Sequence, residues 1–99
     1  MNKIEILARF EKRLYYSSNK KGIDIFKFAV SVPRADKNTY DELTCTAYDT
    51  YARNLKRVLK TGDWIAIVGK IYAPSRKGEM EIVVDTYDMV SDLIRRDEV

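Results

Sequence analysis

Chemistry has few places to happen in this chain of 99 residues, which contains no histidine and a single cysteine. Without imidazole there is no ready proton acceptor near neutral pH, and most zinc sites lose their usual ligand. Cys45 has no histidine to activate it as a nucleophile. It alternates with Leu43 and Ala47 on one side of a strand-like run, so it reads as a small buried group. Carboxylates can be paired on paper, Asp49 with Asp63 or Glu79 with Glu81. Neither pair comes with a nucleophile and an electrophile, and the second reads as two solvent-side charges on a strand. The sequence therefore argues against an enzyme and implies no cofactor and no metal. What it offers instead is cations. Lys20 and Lys21 sit at the tip of one turn and Arg76 and Lys77 at the tip of another, while Arg9, Lys27 and Lys70 take outward positions on strands. Groups of that kind bind anions without covalent chemistry.

The charge is unevenly spread. Residues 1–78 carry 16 Lys and Arg against 8 Asp and Glu, whereas residues 79–99 carry 2 against 7, so the overall +3 conceals a basic body and an acidic end. Such a body suits a polyanionic partner; ordinary solubilising charge is the competing explanation. No apolar run is long enough to span a membrane, and Met1–Ile4 lacks the apolar core of a signal peptide, so the expectation is a cytoplasmic protein in a reducing compartment. The length allows one domain with a modest core.

Five strands and one helix must position these groups. Ile4–Phe10 reads as a first strand with Ile4, Ile6 and Phe10 inward and Glu5 and Arg9 outward. Glu11–Gly22 shows no steady period and ends in a polar turn signal, Ser17 to Gly22. Ile23–Val32 is a clear strand, with Phe28, Val30 and Val32 on the core side and Lys27, Ala29 and Ser31 facing out; Phe26 shares the core parity, which a bulge near it would reverse, and Pro33 ends the ladder. Arg34–Glu42 is a polar loop holding Tyr40. Leu43–Tyr48 places Leu43, Cys45 and Ala47 inside and Thr44, Thr46 and Tyr48 on a flat polar outer face. Thr50–Lys60 is a helix whose apolar side comprises Tyr51, Ala52, Leu55, Val58 and Leu59, with Asp49 or Thr50 capping its start and Gly62 suited to the left-handed position after its end. Its Arg53, Lys56, Arg57 and Lys60 lie outward, more as a solvated face than as a binding patch. Trp64–Tyr72 alternates cleanly, with Ile65, Ile67 and Ile71 inward and Trp64, Ala66, Val68, Lys70 and Tyr72 outward; Gly69 marks a bend or a close approach. Ala73–Gly78 is a hairpin loop, and Glu79–Met89 is the last strand. The fold class is therefore all-β, a five-stranded OB-fold barrel with one α-helix between strands 3 and 4, occupying residues 1–91 and followed by a short polar end, 92–99, that frays.

Over nearly its whole length the chain resembles the bacterial and phage single-stranded-DNA-binding proteins. The residues that carry the resemblance are Met1–Ile6, Gly22 at the close of the first hairpin, Phe28-x-Val30-x-Val32 with Arg34, and Ala52-x-Asn54-Leu55 with Leu59, Gly62 and Asp63. Gly69-Lys70-Ile71 and Glu81-Ile82-Val83-Val84-Asp85 continue it in the family's order. The resemblance implies non-catalytic, sequence-tolerant binding of single-stranded DNA in replication, recombination or repair, with RNA left open as a ligand. It also implies a homo-oligomer, dimer or tetramer, formed through the first strand or the outer sheet face. Tyr48 stands where the family carries a stacking aromatic, and Tyr72 lies near its long hairpin loop. Glu42 replaces a common aromatic, for which Tyr40 can substitute, and Arg76 stands at about the place of a loop tryptophan. Trp64 reads as packing. The implied binding set is Tyr48, Tyr72, Tyr40, Thr44, Thr46, Lys27, Arg34, Arg9, Lys20, Lys21, Lys70, Arg76 and Lys77. The family's long tail with an acidic, apolar tip has no counterpart, since Asp97-Glu98-Val99 does not match it. Glu42 and the outer Trp64, Ala66 and Val68 motivate the alternative, a replisome or primosome adaptor that acts mainly through protein contacts.

Overall fold

Alternating apolar side chains give a strand one buried face, and five such strands with one amphipathic helix build this protein. In chain order they are β1 (Ile4–Ser18), β2 (Asp24–Pro33), β3 (Tyr40–Tyr48), α1 (Asp49–Val58), β4 (Trp64–Tyr72) and β5 (Glu81–Met89). The structure is a computed structural model and describes residues 2–36, 38–73 and 80–91. The strands close into a barrel in the order β1-β2-β3-β5-β4. Four seams are antiparallel, and the one between β3 and β5 is parallel. Closure leaves no full-length edge strand. This is the OB-fold barrel expected from the sequence, with its helix between β3 and β4.

The core runs down the axis. Phe26, Phe28 and Val30 of β2 meet Phe10 of β1, Cys45 and Ala47 of β3, Ile65 and Ile67 of β4, and Ile82 and Val84 of β5, all buried. The Phe28 ring lies 5.1 Å from that of Phe26 and 5.9 Å from that of Phe10, an aromatic stack through the barrel centre. Ala52, Leu55 and Leu59 of the helix and its exit close one end. Tyr51 and Val58, expected on that apolar face, lie at its border and are exposed; the Tyr51 ring instead meets Tyr87 edge-on. Gly69 is the close approach that the sequence flagged. A Cβ there would collide with the Val83 carbonyl oxygen of the neighbouring strand.

Several boundaries differ from the sequence reading. The first strand does not stop at Phe10 but continues to Ser18. Two irregularities in its pairing with β2, between Phe10 and Lys12 and between Arg13 and Tyr15, insert one extra residue each and erase the period-two signal. The turn Thr61–Asp63 satisfies β1 at the first of them: Phe10 N–H donates to Asp63 O at 2.8 Å, and Gly62 N–H donates to Phe10 O at 2.9 Å. Tyr40 belongs to β3 rather than to a loop, paired with Pro33. The helix runs Asp49–Val58, with Tyr48 at its N-cap and no side-chain cap from Asp49 or Thr50. Asp49 instead takes a left-handed backbone, φ 55°, to turn β3 sharply into the helix.

Ile71 keeps its inward parity but is exposed, because it stands at the open end of the barrel. There it lines a small apolar cavity of about 140 Å³ with Ile4, Leu43, Met80 and Ile82. Asn2 continues the ladder at that end, donating from Nδ2 to Ile71 O at 2.6 Å and accepting from Ile71 N–H at 3.0 Å. No described helix is long and apolar enough to cross a membrane. The end 92–99 lies outside the described residues.

Candidate functional site

The outer faces of β1, β2 and β3 form one continuous surface whose composition follows from register. Ile25, Lys27, Ala29, Ser31 and Pro33 of β2 stand opposite Tyr48, Thr46, Thr44, Glu42 and Tyr40 of β3. On the other side Ser17, Tyr15, Lys12 and Arg9 of β1 stand opposite Ile25, Lys27, Ala29 and Ser31. Beyond β3, Glu81 and Val83 of β5 lie beside Thr44 and Thr46, and Tyr72 and Lys70 of β4 lie beside Glu81 and Val83. Four tyrosines, 15, 40, 48 and 72, are 41–53% exposed around this surface, whereas the small residues Ala29, Ser31 and Thr46 are buried. The result is a floor of small side chains with rings and long polar groups standing around it.

Burial of that floor corrects the sequence reading, which placed Ala29, Ser31 and Thr46 in solvent. Parity put them on the correct face; their larger neighbours close over them. Thr46 is the clearest case. Lys27 Nζ reaches Glu81 Oε2 at 3.2 Å, an ion pair that joins β2 to β5 across β3 at the level of Thr44 and Thr46. Beneath it the Thr46 hydroxyl is buried without a hydrogen-bond partner among the described residues. Thr46 is therefore closed off from solvent in this arrangement. Thr44 is half-buried beside it.

At one end of the face Arg9, Glu11, Ser31 and Tyr40 form a unit. The Arg9 Nε–H and the Ser31 hydroxyl both donate to Glu11 Oε1, at 3.0 and 2.6 Å, and the Arg9 guanidinium sits 5.4 Å from the centre of the Tyr40 ring. The Ser31 hydroxyl, then Arg9, holds the Glu11 carboxyl below the usual range. Cation–π contact and the ion pair together orient Tyr40 and keep Arg9 on the face. Arg34 is held likewise, its Nη2 2.6 Å and its Nε 2.9 Å from Asp41 Oδ1. That pairing lowers the Asp41 carboxyl and raises the Arg34 guanidinium. The connection between β2 and β3 is pinned by Asp36, which accepts from Asn38 N–H and from the N–H and hydroxyl of Thr39.

Lys20 and Lys21 project from the β1–β2 turn, which Asn19 organises by accepting from Lys21 N–H and Ile23 N–H. Gly22 closes it with φ 77°. These lysines, Lys12 and Lys70 are exposed and make no ion pair with another described residue. Arg76 and Lys77 lie outside the described residues. Register thus brings Thr44, Lys27, Lys70 and Tyr72 to the middle of the face and Arg9, Tyr40 and Arg34 to one end, with Tyr48 at the other end and Lys20 and Lys21 at the tip of the hairpin beyond it.

The helix cations have a different task. Arg53 Nη1 lies 3.5 Å from the buried Asp24 carboxylate, Lys56 Nζ lies 4.1 Å from the centre of the Tyr16 ring, and Arg13 Nη2 donates to Lys56 O at 2.7 Å. They bind the helix to β1 and β2. Asp24 accepts from Tyr16 and Ser18, each at 2.6 Å. The Ser18 hydroxyl, then that of Tyr16, lowers its carboxyl, and the bond to Asp24 raises the Tyr16 phenol.

Sequence reasoning missed Tyr15 and Lys12. The two register shifts hid them, although the turn signal at Asn19–Gly22 could have located the strand by counting back. Cys45 is buried, and burial, with the charge of Glu81 adding to it, pushes its thiol up to about 12. Among the described residues no group of three or more Cys, Asp or Glu could hold a metal ion.

No protein-family model matches the chain, and no curated protein sequence does. Solved structures do match in shape. The second single-stranded DNA binding protein (SSBb) from Mycobacterium smegmatis superposes with a TM-score of 0.77 at 17% identity, covering 95% of this chain and 91% of that one. The SSB domain of a Synechococcus protein gives 0.76 at 14%, covering 88% and 93%. The dimeric N-terminal domain of PriB from Thermoanaerobacter tencongensis gives 0.69 at 21%, covering 89% and 94%. At these identities the likeness is one of fold, and it extends over the whole barrel.

Proposed function

We propose that this barrel binds single-stranded DNA with little sequence preference and without catalysis. The observation that carries the reading is the outer face itself, where exposed tyrosines stand beside cations over a floor of small residues. Every base has a π-face, so rings accept any sequence, and each stacked base contributes about 1–3 kcal/mol. Tyr48, Tyr72 and Tyr40 stack bases. Lys27, Lys70, Arg9 and Arg34 meet phosphates, with Lys20 and Lys21 from the β1–β2 turn and Arg76 and Lys77 from the segment between β4 and β5. Thr44 lines the path. Thr46 drops out of the contact set and serves as its floor. The shape match to the Synechococcus SSB domain and to the Mycobacterium smegmatis single-stranded DNA binding protein supports this reading. Under it the protein works in the cytoplasm, as a homo-oligomer, in replication, recombination or repair, and RNA is a competing ligand.

Anisotropy titration of labelled oligo-dT in rising salt tests the reading. Binding should weaken with salt, and Tyr48→Ala and Tyr72→Ala should each lower affinity. Indifference to salt, or preference for duplex, would overturn it. One observation favours a second reading, an adaptor that works through protein contacts. Leu7 is exposed on β1 opposite Ala66, on the same outer face as Val68 and Trp64 of β4. That reading gains if both tyrosine variants keep wild-type affinity.

A further inference from the structure

The two register shifts in β1 decide which of its side chains reach the outer face. If the pairing Phe10↔Val30 continued unbroken, Lys12 would fall opposite Phe28 and point into the core, and Tyr15 would fall opposite Ile25. Instead Lys12 pairs with Ala29 and Tyr15 with Lys27. The first extra residue turns a lysine outward, and the pair together slide β1 two places along β2. Tyr15 thereby joins the row that runs through Lys27 and Thr46, and Lys12 joins the adjacent outer row through Ala29 and Thr44.

Tyr15 and Tyr16 are neighbours with opposite fates. Tyr16 is used by the fold: its hydroxyl binds Asp24, its ring meets Phe26 edge-on, and Lys56 covers it. Tyr15 is 53% exposed and makes no hydrogen bond or ring contact with another described residue. Single exposed tyrosines are common. This one stands in register with Lys27 and on the same face as Lys12, on the surface already assigned to a polyanion.

We infer that the bound strand crosses β1 at its second register shift, stacking a base on Tyr15 just beyond it and placing a phosphate on Lys12 just before it. The inference rests on the single-strand reading above and extends its binding surface onto a third strand. Tyr15 and Tyr48 are separated by two strand spacings and by one pair step along the strands, roughly 12 Å in all. A stacked strand advances about 3.4 Å per nucleotide, so contact with both rings spans roughly three to four steps. Tyr15 therefore lengthens the occupied site rather than duplicating Tyr48.

The test is titration of the full chain with oligo-dT and with an abasic homopolymer of equal length, beside Tyr48→Ala as reference. Tyr15→Ala should weaken oligo-dT binding roughly 5- to 150-fold, the range that loss of one stacked base implies. Tyr15→Phe should stay close to wild type. On the abasic strand Tyr15→Ala and wild type should bind alike. Lys12→Gln should reduce the slope of log affinity against log salt by about 0.7. If Tyr48→Ala weakens binding and Tyr15→Ala does not, the inference falls while the single-strand reading stands. If wild type fails to bind, both fall. If Tyr15→Ala loses affinity equally on the abasic strand, or changes the melting temperature or the oligomer mass, the ring belongs to the fold or to a protein contact, and the inference is overturned.

Discussion

Removing the charge of Glu81 should tighten DNA binding. The Lys27 ammonium lies in the centre of the outer face but is held 3.2 Å from the Glu81 carboxylate. A phosphate that uses Lys27 must first take it from Glu81. Lys27 is partly exposed, so the pair belongs with screened surface pairs, whose strength is about 0.2–1 kcal/mol. Glu81→Gln keeps the shape and an acceptor oxygen but removes the competing charge. The released energy should appear as roughly 1.5- to 5-fold higher affinity for oligo-dT at low salt. One more cation becomes available for counterion release, so the salt slope should steepen by about 0.7. The assay is anisotropy between roughly 50 and 200 mM NaCl, the range over which such slopes are resolved. Glu5→Gln serves as the control for net charge, because Glu5 pairs with Lys3 near the start of β1 and stands opposite Val68 on β4. Weaker binding by Glu81→Gln, an unchanged slope, or an equal gain from Glu5→Gln would refute the reasoning.

Other outcomes follow from the same geometry. Thr46→Val removes a buried hydroxyl that has no partner among the described residues, and should raise stability by about 1 kcal/mol in urea unfolding with oligo-dT affinity unchanged. Gly69→Ala forces a Cβ onto the Val83 carbonyl oxygen and should lower stability by about 2 kcal/mol or more, since backbone must shift; a neutral effect would show that β4 and β5 can part there. Asp24 has a lowered carboxyl pKa, so the stability it contributes is present above its unfolded value near 4 and is lost as pH falls through its lower folded value. Melting temperature should therefore drop on the acid side, and Asp24→Asn should flatten that limb; an unaltered acid limb would contradict the assignment.

Much of the barrel can be read from alternation because β2 and β4 carry one unbroken period each. Phe26, Phe28 and Val30, and then Ile65 and Ile67, point inward as their spacing requires. The second half of β1 could not be read, since extra residues between Phe10 and Lys12 and between Arg13 and Tyr15 cancel the period that strand recognition depends on. Tyr40 was hidden by the polar Asp41 and Glu42 beside it, although the strand begins at Tyr40. The rings and cations of the face could be chosen by type, but their accessibility could not. Whether Thr46 reaches solvent depends on Lys27 meeting Glu81, 54 positions away in the chain. Whether Arg9 is held depends on Glu11, which stands at a register shift. Such contacts are properties of closure, and local pattern does not contain them.

The parallel seam between β3 and β5 is the shortest in the barrel, with three register pairs: Thr44↔Glu81, Cys45↔Ile82 and Thr46↔Val83. It also joins the strands whose pairing encloses the helix and all of β4, so its contacts come only after a long loop has been closed. The cylinder thus has a weak stave, and the Lys27–Glu81 bridge lies across it like a clasp. Local opening should begin there, with whichever of the Ile82 and Val83 amides donates to β3 exchanging faster than that of Phe28. A strand that draws Lys27 away from Glu81 would unfasten that clasp, so occupancy of the face and the breathing of the barrel are coupled at one seam.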